Sequence, residues 1–127
     1  MSDANTKINR LVWFDLPVAD LDRADKFYGA VLALEVNRQK FGEVEFSVLH
    51  HSEGNGGCLL VKPEEVTAKG MLGYLNVEGR IQEAAALVEK HGGKILQPVT
   101  AIGPHGFRAV ILDSEGNRIA LHSSVDS

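Results

Sequence analysis

The residues that could do chemistry fall at alternate positions along four extended runs. Leu11, Trp13 and Asp15 share one face of an N-terminal run. Leu72, Tyr74 and Asn76 share a face of a second, Cys58 and Leu60 of a third, and Arg118, Ala120 and His122 of the last. Successive side chains of a strand point to opposite sides, so these sets would look into one hollow if the runs share a sheet. Trp13 and Tyr74 would wall that hollow with rings that carry a polar handle, or would simply fill it. Asp15 and Asn76 hold equivalent positions in two similar segments. A carboxylate facing an amide could orient a polar ligand, and Asp15, if partly buried, could serve as a general base. The competing reading, favoured for this pair, is a hydrogen bond between the two or to strand-end backbone.

The other reactive residue types have plainer readings. Cys58 has no neighbouring base in sequence to lower its pKa, so an inert strand residue is expected. His50 and His51 are adjacent in a strand, point to opposite faces and cannot chelate one ion together. His91 suits a helix end, where positive charge complements the dipole. His122 reads as an exposed strand-end residue that could reach the hollow's rim. His105, in Gly103-Pro104-His105-Gly106, reads as part of a solvated turn that could fold over the hollow's mouth. Gly54 to Gly57 opens no helix and so makes no phosphate cradle.

The elements that must position these residues follow from periodicity. Residues 8–18 read as a strand ended by Pro17, and Asp20 as the N-cap of a helix with Asp22 in its first turn. Leu21, Ala24, Phe27, Tyr28, Val31 and Leu32 form its apolar stripe. Runs 34–38, 44–51 and 58–62 read as strands, with a turn over 52–57 and a linker over 63–70. The pattern then restarts. Met71, Leu75 and Val77 repeat the first strand. Ile81, Ala84, Ala85 and Val88 repeat the helix, which His91-Gly92-Gly93 stops. Runs 94–97, 107–112 and 118–122 complete three strands, with Ser114-Glu115-Gly116-Asn117 between the last two.

Val18 matches Val77, Leu21 and Ala24 match Ile81 and Ala84, and Ser52-Glu53-Gly54-Asn55 matches Ser114-Glu115-Gly116-Asn117, all at an offset of about 60 residues. The chain of 127 residues is therefore predicted to be one α+β domain of two βαβββ modules, 8–62 and 71–123, forming an incurved mixed sheet with a cup between them. A concave, partly apolar cup is a natural small-molecule site.

Composition narrows the function classes. A net charge of -4 without a Lys/Arg cluster gives no footprint for nucleic acid or an anionic membrane surface. No apolar run reaches membrane-span length, and the N-terminal residues are polar, without a secretory h-region. The single cysteine allows neither an intrachain disulfide nor a zinc–cysteine cluster and fits a reducing compartment. A soluble, cytoplasmic protein is expected, with loose ends at 1–7 and 123–127.

Asp15-Leu16-Pro17-Val18-Ala19-Asp20-Leu21, followed by Ala24 and Lys26-Phe27-Tyr28, resembles the V-x-D-L-x-x-A-x-x-F-Y entry of the glyoxalase/bleomycin-resistance/extradiol-dioxygenase (vicinal oxygen chelate) superfamily. Asp113 to Ile119 resembles its D-P-E-G-N-x-I turn, and Gly92-Gly93-Lys94-Ile95 its second helix exit. The resemblance spans 8–122 and suggests the subgroup related to lactoylglutathione lyase. It implies the cup fold without naming an activity, since the fold hosts lyases, dioxygenases, isomerases, epimerases and drug-binding proteins. In metal-dependent members four equivalent strand positions, mostly His and Glu, hold a divalent ion. The resemblance carries those positions onto Trp13, Cys58, Leu72 and Ala120. None is His, Asp or Glu, and one thiolate cannot hold the ion alone. No metal and no cofactor are predicted.

The leading expectation is a metal-free binding protein for a small organic molecule, with Trp13, Asp15, Cys58, Leu72, Tyr74, Asn76, Ala120 and His122 around the ligand. One alternative is an enzyme, either a glyoxalase-like lyase or dioxygenase type holding a metal or one using Asp15 as acid/base. The other is a dimeric interaction module without a ligand. By analogy with the family, whose members pair sheets or exchange modules, a homodimer is expected, with the linker long enough for either arrangement.

Overall fold

The structure is a computed structural model that describes residues 9–127. Ile8 and the tail 1–7 lie outside these residues. The first half contains β1 (Asp15–Val18), α1 (Leu21–Val31), β2 (Val36–Phe41), β3 (Val44–Leu49) and β4 (Cys58–Val61). The second contains β5 (Gly73–Asn76), α2 (Ile81–Val88), β6 (Lys94–Ala101), β7 (Phe107–Leu112) and β8 (Arg118–Ser123). Each half makes a four-stranded mixed sheet, in the orders β1-β4-β3-β2 and β5-β8-β7-β6. The cup is thus built from two sheets rather than one continuous ladder.

Several strand boundaries differ from those predicted, and β3 ends at Leu49, so His50 and His51 follow it. The first strand starts at Asp15, so Leu11 and Trp13 precede it, and Leu72 likewise precedes β5. Alternation alone therefore does not aim these three side chains. β2 runs over 36–41 rather than 34–38, because the turn leaving α1 takes up Leu34, whose N–H reaches the Gly29 carbonyl. β6 runs on through Pro98 to Ala101, with register shifts between Ile95 and Gln97 and between Gln97 and Thr100. β6 is an edge strand, where a missing N–H and an irregular register are tolerated.

The same logic explains Pro17 inside β1. The strand pairs with β4 alone, in parallel register, and Cys58 and Lys62 donate to the carbonyls of Phe14 and Val18. Odd-numbered residues of β1 therefore turn their backbone groups to the open edge. A proline there removes no ladder bond.

Both helices form where predicted. The Asp20 side chain accepts from Arg23 N at 3.1 Å, capping α1. The turn after α2 ends on Gly92 at φ 95, a left-handed conformation that suits glycine. The buried stripes Leu21, Ala24, Phe27, Tyr28 and Val31 of α1 and Ile81, Ala84 and Val88 of α2 merge into one core with Leu59, Ile111, Ile119 and Leu121 of the sheets. Phe27 is wholly buried there, and truncation to alanine would cost about 3–5 kcal/mol. Arg80 Nη1 donates to the Val31 carbonyl at 2.7 Å, placing a cation at the C-terminal end of α1.

The Asp113–Asn117 turn joins the halves. Asp113 is buried and accepts from the Tyr28 hydroxyl (2.5 Å), from Glu115 N and Asn117 N (2.8 Å each) and from Asn117 Nδ2 (3.1 Å). Asn117 Nδ2 also donates to the Pro17 carbonyl at 2.7 Å, on the open edge of β1. Glu115 accepts from Ala19 N and Asp20 N at 2.9 Å and from Arg23 at 2.7 and 2.8 Å. The linker joins in, with Thr67 N donating to Asn117 Oδ1 and Arg118 N to the Thr67 carbonyl.

Candidate functional site

β1 and β5 are the terminal strands of their sheets. They face the same cavity of about 370 Å³, a volume within the range of small-molecule sites. Leu16 and Leu75 give it an apolar floor, while Asp15, Tyr74 and Arg118 supply polar groups. Glu65, Thr67 and Lys69 of the linker, with Met71, close one side. A second, more open hollow of about 510 Å³ adjoins it, lined by Tyr74, Ile102, His105, Arg108 and His122. Tyr74 borders both.

The residues singled out in the sequence divide between these hollows and their surroundings. Asp15 and Tyr74 line the seam cavity, and Tyr74 and His122 the second hollow. Asp15 is exposed and accepts from the Cys58 thiol at 3.2 Å, its register partner across β1 and β4. Asn76 does not face Asp15 with its amide. Its Oδ1 accepts from Glu78 N at 2.8 Å and steadies the strand end, and its side lines a pocket beside His50 and His51. Trp13 packs edge-on against His51, ring centroids 5.7 Å apart. Leu72 is half-buried and Ala120 wholly buried. Trp13, Cys58, Leu72 and Ala120 are not in the wall of the seam cavity.

The histidines are also placed. His91 Nδ1 lies 3.0 Å from the Leu87 carbonyl at the end of α2. His122 is half-buried rather than exposed. Its Nε2 lies 2.8 Å from the His105 carbonyl, so Nε2 carries the proton, and the 103–106 loop is tied to the rim of the second hollow.

Arg108 is the functional candidate that sequence reading missed. It lies on β7 opposite His122 of β8, and its Nη1 donates to the Tyr74 hydroxyl at 2.5 Å. Its guanidinium carbon lies 5.9 Å from the centre of the Tyr74 ring. The available signal was a lone arginine at an alternate position of the otherwise apolar run Phe107–Leu112. The same alternation had already picked out Arg118.

The electrostatics of Cys58 bear on its chemistry. Burial, together with the hydrogen bond and negative charge of Asp15, pushes its thiol up to about 11, against a smaller opposing effect of Trp13. At neutral pH it is a thiol, poorly suited to attack or to ligate a metal. The four positions expected from the sequence to correspond to metal ligands carry an indole, a protonated thiol, a leucine and a buried alanine. Among the described residues no group of three or more His, Cys, Asp or Glu could hold an ion.

Comparison with known proteins agrees with this architecture. Residues 10–48 match the family model described as bleomycin resistance protein-like N-terminal. A glyoxylase-like domain-containing protein of Didymella fabae is 29% identical over 114 residues, covering 84% of this chain and 88% of that protein. The crystal structure of a glyoxalase-related enzyme from Fulvimarina pelagi superposes with a TM-score of 0.69 at 16% identity, over 91% of this chain and 88% of that one. A genomically encoded fosfomycin resistance protein from Listeria monocytogenes gives 0.68 at 13% identity, over 92% and 94%. Among the described residues no helix is long and apolar enough to cross a membrane. With its paired four-stranded sheets, its two helices and these matches, the chain has the glyoxalase/bleomycin-resistance fold.

Proposed function

We propose that this protein binds a small organic molecule in the seam between its two sheets and does so without a metal. The observation that carries the reading is the seam cavity itself, bordered by both terminal strands, with apolar Leu16 and Leu75 beneath and Asp15, Tyr74 and Arg118 around it. An apolar wall with a few fixed polar groups is what orients a small ligand. Asp15 serves here to orient the ligand. Trp13 packs against His51 outside the cavity and is not part of its wall. The donor set around Cys58 supports the metal-free part of the reading. The proposal extends to a cytoplasmic homodimer, as expected from the sequence and from the family's habit.

A thermal-shift screen of small organic molecules tests the reading, followed by calorimetry of the hits. A ligand at a hundred times its Kd should stabilise the fold by about 2.7 kcal/mol. Leu75→Trp, which fills the cavity, should abolish that gain while the fold survives. Metal analysis of the purified protein should give well under one ion per chain, with no stabilisation by added zinc, nickel or manganese. One tightly held ion per chain would overturn the metal-free reading.

A further inference from the structure

Three arginines of the described chain are matched by carboxylates. Arg23 meets Glu115, Arg38 meets Asp22 and Asp25, and Arg80 meets Glu83. Arg108 has no such partner among the described residues. It is partly buried, and the only hydrogen bond of its side chain there is the one to Tyr74. Its Nε is shut off from solvent and has no acceptor. The guanidinium nevertheless lines an open hollow, where an anion from outside can supply the charge partner that the chain does not. No carboxylate lines the hollow in which Arg108 stands. The chain as a whole is acidic, at -4, so this positive pocket runs against its composition. Arg118 also has a buried Nε without an acceptor, but it faces the seam cavity together with the carboxylates of Asp15 and Glu65, and its Nη2 is taken by the Gly70 carbonyl.

We infer that Arg108 is the anion-recognising residue of the ligand site, and that the ligand is an organic acid. Its carboxylate meets the guanidinium in the second hollow, and its apolar body crosses Tyr74 into the seam cavity. The inference rests on the binding reading above and adds the class of ligand. A planar guanidinium matches a carboxylate through paired hydrogen bonds. One cation suits a single negative charge, whereas a phosphate monoester would call for a second cation in the same hollow. Tyr74 borders both spaces, so a ligand with a short chain between acid and apolar group can occupy both. His122, fixed by its bond to the His105 carbonyl, forms the far wall.

Calorimetry with 4-phenylbutyrate, its neutral amide and phenyl phosphate tests this on the wild type, Arg108→Gln and Arg108→Lys, each checked for folding by circular dichroism. The acid should bind the wild type at least about tenfold tighter than the amide, the factor one charge-assisted hydrogen bond supplies. Arg108→Gln should erase that preference, and Arg108→Lys should restore part of it. Equal binding of acid and amide, indifferent to Arg108→Gln, overturns the inference and leaves the seam-cavity reading standing. A preference for phenyl phosphate overturns the carboxylate assignment. Binding of neither acid nor amide overturns the inference too, and the cavity reading falls with it only if the thermal-shift screen also yields no ligand.

Discussion

The tetrapeptide Ser-Glu-Gly-Asn closes a hairpin in each half of the molecule, and the two copies differ in almost every contact. At 52–55 the preceding residue is His51, whose Nδ1 lies 2.9 Å from the Gly54 carbonyl. At 114–117 it is Asp113, whose carboxylate gathers two backbone N–H groups, the Asn117 amide and the Tyr28 hydroxyl. The backbones diverge as well. In the first copy Ser52 takes the left-handed conformation (φ 50); in the second it is Gly116 (φ 102). Glu53 is exposed, whereas the Glu115 side chain is buried beneath Arg23. Even the asparagines diverge, although both bind β1 or its approach. Asn55 donates to the Leu11 carbonyl and Asn117 to that of Pro17. The comparison teaches that local sequence sets the turn, while the residue before it and the surface opposite decide whether the turn joins two modules.

The largest expected difference lies at Asp113. Asp113→Ala strands several buried donors and should cost about 4 kcal/mol in urea denaturation, whereas Asn55→Ala in the other turn should cost under about 1 kcal/mol. Equal costs would erase the contrast. The glycines should differ next. Gly116→Ala forces a side chain into the left-handed region and should cost about 1–2 kcal/mol, although a Cβ there meets nothing closer than Val66 at 3.6 Å. Gly54→Ala has no positive φ to pay for and should stay within about 0.5 kcal/mol.

The smallest effect is on pH dependence. Burial alone would raise the Glu115 carboxyl, but hydrogen bonds from Arg23, Asp20 N, Ser114 and Ala19 N outweigh it and hold the group at about 2. Its folded pKa is thus below the unfolded value of 4.5. The stability it gives is present above 4.5 and is lost as pH falls from there toward 2. Arg23 is half exposed, so solvent screening keeps the effect modest. Acid denaturation of the wild type against Glu115→Gln should show a shallower decline in the variant over that range. Identical profiles would show that Glu115 contributes nothing to joining the modules.

The fold was largely legible because each half repeats the same strand and helix periods. Both helix stripes, the Gly92 stop and the two turns follow from local residue chemistry. The misplaced strand ends have tertiary causes. The approach to β1 has no neighbour in its ladder before Asp15, and β6 tolerates Pro98 only because it lies at an edge, a property that sequence does not display. The site was legible in part. Alternation picked out Asp15, Tyr74, Arg118 and His122, which line the two hollows, whereas Trp13 and Leu72 lie outside the strands and outside both walls. Arg108 went unnoticed because its significance lies in what it lacks, a carboxylate partner, and only three-dimensional neighbours reveal that. The clamp around Asp113 was visible only as a family signature, since Tyr28 and Pro17 are far away in sequence.

The most direct test of the seam site is a ¹H–¹⁵N NMR titration with the best hit of the thermal-shift screen. The account predicts that the largest shifts fall on the facing edges, at Asp15, Leu16, Tyr74 and Leu75, with a weaker response at Arg108 and His122. Shifts confined to the β2–β3 hairpin or to the helix surfaces, with those edges silent, would contradict it.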